Sequence, residues 1–223
     1  MTTTDEQRTQ WGAHARDRLG TVADLHAIVA ERIAKQAALD EALRASIERA
    51  GKEALDESAA RKSLSDATED AGRRAKLIAL KLETAQLEGQ IPADVYRAVM
   101  TAAFPGGAAA IGVQPGERFN ALQRIAQALE ASASADPGGT LRQSAQNGAK
   151  ALEDANATTK KEEADKHGAL QALADARTRW DEGYTATKEI VSGLLRDLGR
   201  RNELGELFAD LAPSPAPAKS KAG

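Results

Sequence analysis

The sequence predicts an all-α protein: a long antiparallel helical hairpin, coiled-coil-like, that carries a small helical head. Three observations predict it. Strong helix formers, above all Ala, Leu, Glu, Lys, Arg and Gln, dominate the chain. Apolar residues recur at spacings of three and four along two long segments, the pattern of helices that pack along one stripe. Aromatic residues make up only 3% of the 223 residues, too few for a thick globular core. A four- to six-helix bundle satisfies the same pattern.

The first long arm is predicted over residues 1–88. Residues 4–7 have the order of a capping box, which starts a helix by satisfying its free N–H groups. The first proline is Pro92, and the single glycines Gly20 and Gly72 need not end a helix. Gly51 precedes a weakly apolar segment and is the favoured place for a bend or a turn. We therefore expect helix throughout the arm, with any break near Gly51.

The head is predicted over residues 89–138. Its centre, AVMTAAFPGGAAAIGVQPG at 98–116, has no charged residue, although 28% of the chain is charged. Pro105, Gly106 and Gly107 break this stretch, so we expect two short helices joined by an apolar loop. The predicted arrangement is a packed cap that closes one end of the hairpin. The residues assigned to its interaction surface are Val99, Phe104, Ile111, Phe119 and Leu122.

The second arm is predicted over residues 139–211. Thr140 begins a second capping box, and the helix is expected to run to about Ala209. Each arm has a polar stretch, centred near residues 58 and 162, and the two stretches meet if the chain folds back near residue 110. The same fold-back sets Val29 near Val191, Ile47 near Leu173 and Val22 near Leu198. The tail over 212–223 is rich in Pro, Ala and Lys and is predicted to be disordered.

The seam between the arms is expected to hold apolar residues at heptad spacing. These are Val22, Val29, Ile33, Ile47, Leu173, Trp180, Ile190 and Leu194. Other apolar residues fall beside this seam, where a lone hairpin leaves them in water: Ile28, Leu39, Leu77, Leu80, Leu170, Val191 and Leu195. Pairing two hairpins would cover them, so we expect a homo-oligomer.

Motifs that carry chemistry are missing from the sequence. It has no cysteine, which excludes disulfides and thiolate chemistry. The histidines, His14, His26 and His167, lack the spacing of a helical metal site. No phosphate-binding glycine loop and no nucleophile elbow occur. We therefore predict a non-enzymatic protein with no catalytic residue, no cofactor and no metal. A net charge of -3 argues against a nucleic-acid partner.

The predicted function is that of a structural or adaptor coiled coil, with itself or an unidentified protein as partner. Residues 1–10 lack the pattern of a secretory signal, and no apolar run is long enough to span a membrane. A cytoplasmic location is therefore expected, with export by a route that needs no such signal as the other option.

The alternative function is binding to a membrane or granule surface by shallow insertion of residues 98–116. An apolar tongue between long helices is similar in outline to the layout of long-helix pore-forming toxins. Ala-rich helices with a Pro/Ala/Lys tail are similar in composition to phasins, the proteins that coat polyester storage granules. Both likenesses lack a shared motif. Around the tongue Arg97 and Arg118 are balanced by Asp94 and Glu117, which favours the scaffold over the membrane.

Overall fold

The computed structural model describes residues 4–21 and 27–211. Its helices are α1 (Asp5–Gly20), α2 (Ala27–Leu87), α3 (Ala93–Ala103), α4 (Pro115–Ala131), α5 (Thr140–Asp197) and α6 (Leu204–Leu207). Short 3-10 turns lie at Ala108–Ala110, Ala133–Ala135, Arg201–Glu203 and Ala209–Leu211. The described residues form no strand. The all-α prediction and the two long helices of a hairpin are thereby confirmed. Val22 and the tail lie outside the described residues.

The chain divides into two compact units. The terminal unit comprises Met1–Lys52 and His167–Gly223, and the central unit comprises Glu53–Lys166. Each unit takes one segment of α2 and one segment of α5.

In the terminal unit α2 and α5 pack antiparallel. The indole of Trp180 bonds to Asp40, and a side chain on Gly183 would collide with Leu39. This register sets Val29 level with Val191 and Ile47 level with Leu173, as expected from the sequence. α1 and α6 complete the unit, and Leu19, Leu207 and the adjacent Phe208 are buried in its core.

The first arm departs from the predicted single helix. α2 runs through Gly51 without a break, so the turn between two helices considered there does not occur. The chain instead divides after Gly20, where Thr21 caps α1 by donating its N–H to Arg18 and Leu19. The capping box at the start of α1 is present as predicted. The separate α1 packs back on the hairpin, and this tertiary burial is invisible in a local pattern.

The far end of α5 buries a different face from the predicted one. Val191 and Leu195, expected beside the seam, are buried, whereas Ile190 and Leu194 are half-buried. The reason is a second layer: α1 and α6 belong to the same core and cover this face of α5. Ile33 and Ile47 are also half-buried, while Val29, Leu173 and Trp180 are buried.

In the central unit α4 lies alongside the two arms. Leu122 of α4 packs against Gly148 of α5, where a Cβ would lie 3.0 Å from its Cδ1. The Arg118 guanidinium packs against Gly72 of α2. Arg118 Nη1 donates to the carbonyl of Thr68, which fixes α4 to α2. The head therefore packs along the sides of the arms, whereas the sequence suggested a cap over their end. Its apolar residues gain burial against α2 and α5 by this arrangement.

Candidate interaction sites

The five head residues predicted as an interaction surface lie mostly in the core of the central unit. Val99, Phe104 and Leu122 are buried, and Ile111 and Phe119 are half-buried. Within the uncharged stretch 98–116 three residues are buried, five are half-buried and eleven are exposed, so mainly its large side chains are used for packing. Its main exposed apolar side chain is Val113, which is 69% exposed.

A shallow groove of about 270 Å³ lies between α4 and α5 in the central unit. Pro115, Phe119 and Leu152 supply its apolar lining, and Asn156 is one of its polar lining residues. Small-molecule sites are usually enclosed and span roughly 300–1,000 Å³. This groove is smaller and open, so its geometry suits a protruding side chain better than an enclosed substrate.

The outer side of α2 in the central unit carries three exposed leucines. Leu77, Leu80 and Leu87 are 51%, 58% and 77% exposed. Spacings of three and seven set them on one side of the helix, and we call this set the leucine face. The sequence pattern marked Leu77 and Leu80 as uncovered. Leu87 was missed, although it follows Leu80 by seven residues.

The exposed charges that border the leucine face are ordered along the chain. Arg73, Lys76 and Lys81 come first, and Glu83 and Glu88 follow. The face is therefore more basic at its start, where Arg73 also pairs with Asp70, and acidic at its end.

The terminal unit contains a buried polar cluster around Asp40, which is 3% exposed. Trp180 Nε1 donates to Asp40 Oδ1 at 2.7 Å, and Gln36 Nε2 donates to the same oxygen at 3.0 Å. Arg16 of α1 supplies the charge partner, with its Nε 2.7 Å from Oδ2. A buried carboxylate is costly without a paired cation, so Arg16 binds α1 to the hairpin.

Sequence reasoning singled out neither Gln36 nor Asp40. The signal was available, because Gln36 stands seven residues from Val29 and from Leu43. In the same way Asp40 stands seven residues from Ile33 and Ile47. Both polar residues thus occupy inward heptad positions.

Aromatic rings join α1, α5 and the segment after α5. Tyr184 stacks on Trp180 at 4.7 Å between ring centroids and on Trp11 at 6.3 Å. Phe208 meets Tyr184 edge-on at 5.7 Å. The Tyr184 hydroxyl donates to Asp210 Oδ1 at 3.0 Å. Burial, with the nearby Asp210 and Asp40 charges, raises the pKa of Tyr184 well above its ordinary value, so the phenol remains a donor.

Two further ion pairs bind α1 to α5. Arg8 donates to Asp181 through Nε and Nη2 at 2.9 and 2.8 Å. Arg177 Nε donates to Asp5 Oδ1 at 2.6 Å. The hydrogen bond from Arg177 is the main reason that the pKa of Asp5 lies below its ordinary value. These paired charges orient α1 on the hairpin.

Three carboxylates approach one another in the central unit. Oxygens of Glu53, Asp56 and Glu162 lie within 4.8 Å of one another, and all three residues are half-buried. Lys161 Nζ lies 3.3 Å from Glu162, which offsets part of the repulsion. The neighbouring Glu57 has its own cations, Arg61 and Lys166.

The histidines described by the structure are not brought together. His14 Nε2 lies 3.0 Å from the carbonyl oxygen of Glu206, and His167 is exposed on α5. His26 lies outside the described residues.

Over 4–21 and 27–211 no helix has the length and apolar character needed to cross a bilayer. No protein-family model, curated protein or solved structure matches this chain.

Proposed function

We propose that this chain is a non-enzymatic structural protein that associates with further copies of itself through the leucine face of α2. The observation that carries the proposal is the exposure of Leu77, Leu80 and Leu87 on one side of a regular helix. Fully burying a leucine side chain contributes about 1.5–3 kcal/mol, and a symmetric pair would cover six of them.

The charge order along α2 favours an antiparallel pairing of two copies. In such a pair the basic end, Arg73 and Lys76, lies near the acidic end of the other copy, Glu83 and Glu88. Complementary charges of this kind set orientation and register more than they add affinity. The proposed interface is therefore self-complementary, as a two-fold interface must be.

The proposal that the protein is not an enzyme is supported by the contacts of its buried polar side chains, which join helices to one another. Asp40 and Tyr184 form hydrogen bonds, and Arg16 forms an ion pair, with neighbours on other helices or segments of the terminal unit. The groove between α4 and α5 is open, although Asn120, Glu153 and Asn156 are among its lining residues, and substrate sites are usually enclosed. A cytoplasmic location stays a prediction.

Surface binding through the head is the second candidate. It is favoured by Val113, which is exposed within a stretch that lacks charge, two residues after half-buried Ile111. Insertion of this segment would be shallow, because Val99 and Phe104 are already used in the core of the central unit.

The test measures molar mass by size-exclusion chromatography with light scattering over a range of protein concentrations. Wild type is expected to exceed one chain, and Leu80→Glu/Leu87→Glu to lose most of this association. Leu55→Glu is the matched control, since Leu55 is an exposed leucine of α2 in the same unit, several turns away from the leucine face. Circular dichroism verifies that each variant is helical.

A wild type that stays at one chain at every concentration contradicts the proposal. The second candidate is tested by flotation with liposomes of mixed neutral and anionic lipid. Flotation of wild type that is lost in Val113→Asp would favour the head as a surface-binding element.

A further inference from the structure

We propose that α1 is exchanged between two copies of the chain, so that α1 of each copy packs on the α2–α5 face of the other. The inference shares with the proposed function the premise that the partner is a second copy of the chain. The exchange takes place in the terminal unit and does not involve Leu77, Leu80 or Leu87.

The first observation is the specificity of the surface that α1 covers. Asp40 needs a cation, which Arg16 supplies. Arg177 and Asp181 bond to Asp5 and Arg8 of α1. An unrelated apolar helix would leave these charges unpaired.

The second observation is a close approach that only a glycine allows. A side chain at Gly12 of α1 would collide with the carboxylate of Asp40. The occupant of this face must combine a glycine opposite Asp40 with an arginine four residues later. α1 meets this requirement, and α1 of a second copy meets it equally well.

The third observation is the heptad phase, which passes from α1 into α2 unbroken. The inward residues of α1 are Gly12, Ala15 and Leu19. Steps of three and four from Leu19 lead through positions 22 and 26 to Val29, Ile33, Gln36, Asp40, Leu43, Ile47 and Ala50. All the described residues of this series are buried or half-buried. Two separate helices have no need to share one phase, whereas a single helix does.

The fourth observation is that α1 ends without a left-handed glycine. Thr21 has φ -73° and ψ -14°, which is ordinary right-handed helical geometry. The long helices α2 and α5, by contrast, are followed by left-handed glycines, Gly89 at φ 73° and Gly199 at φ 70°. The connector residues 22–26, VADLH, contain neither glycine nor proline. The sequence here permits a continuous helix.

These observations combine into one exchange. When α1 and α2 join as one helix over residues 5–87, α1 points away from its own α2–α5 face. The bare face keeps Asp40 and the rings of Trp180 and Tyr184, and α1 of a second copy restores every contact described above. Exchange of an identical element in this way is a low-cost route to a dimer.

The experiment uses the full chain, which is free of native cysteine. Arg8→Cys and Asp181→Cys are made as separate variants, mixed, concentrated and diluted, and then treated with a short bis-maleimide. These residues touch across α1 and α5. Exchange predicts a cross-linked species of two chains from the mixture, whereas a chain that keeps its own α1 gives none.

The matched control is the mixture of Arg61→Cys and Glu163→Cys. These side chains also form an ion pair between α2 and α5, at 3.0 Å, but lie in the central unit. This mixture is expected to give at least several-fold less two-chain product. The double variant Arg8→Cys/Asp181→Cys, refolded alone, verifies that the reagent spans the pair.

The outcomes separate the two proposals. If light scattering finds more than one chain but the Arg8→Cys and Asp181→Cys mixture gives no two-chain product, the exchange is wrong and association through the leucine face stands. If wild type remains at one chain at every concentration and no mixture cross-links, both are wrong.

Discussion

Arg16 and Asp40 join α1 to α2 through a largely buried ion pair, with Nε of Arg16 2.7 Å from Oδ2 of Asp40. The same carboxylate accepts from Trp180 and Gln36 through its other oxygen. One carboxylate therefore links α1, α2 and α5. Loss of the carboxylate, or of its cation, is expected to affect all three helices of the terminal unit together.

Arg16→Met is expected to destabilise the protein by about 1–3 kcal/mol, because it leaves the Asp40 charge buried without its cation. The methionine keeps much of the apolar stem, so lost packing contributes little. The measurement is urea unfolding at a fixed protein concentration, followed by circular dichroism and by tryptophan fluorescence. Lys35→Met is the control, since its pair with Glu31 is exposed and should matter by less than about 0.5 kcal/mol. Equal effects from both variants would contradict the role given to Asp40.

The pair between Asp5 and Arg177 predicts a pH dependence of α1 packing. The pKa of Asp5 in the folded protein lies below its unfolded value, mainly because Arg177 donates to the carboxylate. The contribution to stability is therefore complete above about pH 4, near the unfolded pKa, and is lost as the pH falls through the folded pKa. We expect wild type to be more stable than Asp5→Asn by up to about 1 kcal/mol at pH 7, since the pair is partly solvated.

The check on Asp5 is the free energy of unfolding of both proteins at pH 7 and at several values below about pH 4, the unfolded pKa of an aspartate. The difference between them should shrink as the acid side chain of wild type becomes protonated. A difference that stays constant down to about pH 2 would mean that the substitution acts through packing rather than charge.

Adding a side chain is expected to change the free energy of unfolding in opposite directions at two glycines of the long helices. A Cβ at Gly148 of α5 would lie 2.9 Å from Cδ of Arg74 and 3.0 Å from Cδ1 of Leu122, so Gly148→Leu forces both aside. We expect a loss of about 1–3 kcal/mol from overpacking. Gly51 of α2 has open space around it, and Gly51→Ala is expected to gain about 0.5–1 kcal/mol from helix propensity. Thermal unfolding of both variants checks the signs.

The arms were predictable because their signals are local. Pro92, the nearby glycines and the heptad spacing mark the ends and inner sides of the long helices, and they set the register of Val29 with Val191. The division between α1 and α2 was not predictable, since the sequence there continues the helix pattern. What holds the two apart is the contact of Arg16 and Trp11 with α2 and α5, which depends on residues far along the chain. The burial of Val191 in place of Ile190 has the same origin.

The connector between α1 and α2 offers the sharpest test of why that prediction failed. Ala23→Pro places a proline inside the continuous helix that exchange requires, at a cost of about 3 kcal/mol. The two separate helices end at Gly20 and begin at Ala27, on either side of this position. We therefore expect Ala23→Pro to lower the yield of two-chain product in the Arg8→Cys and Asp181→Cys mixture at least several-fold. Ala30→Ser, a mild change within α2, is the control and should leave the yield unchanged. An undiminished yield with Ala23→Pro would show that exchange, if it occurs, does not proceed through a single helix over residues 5–87.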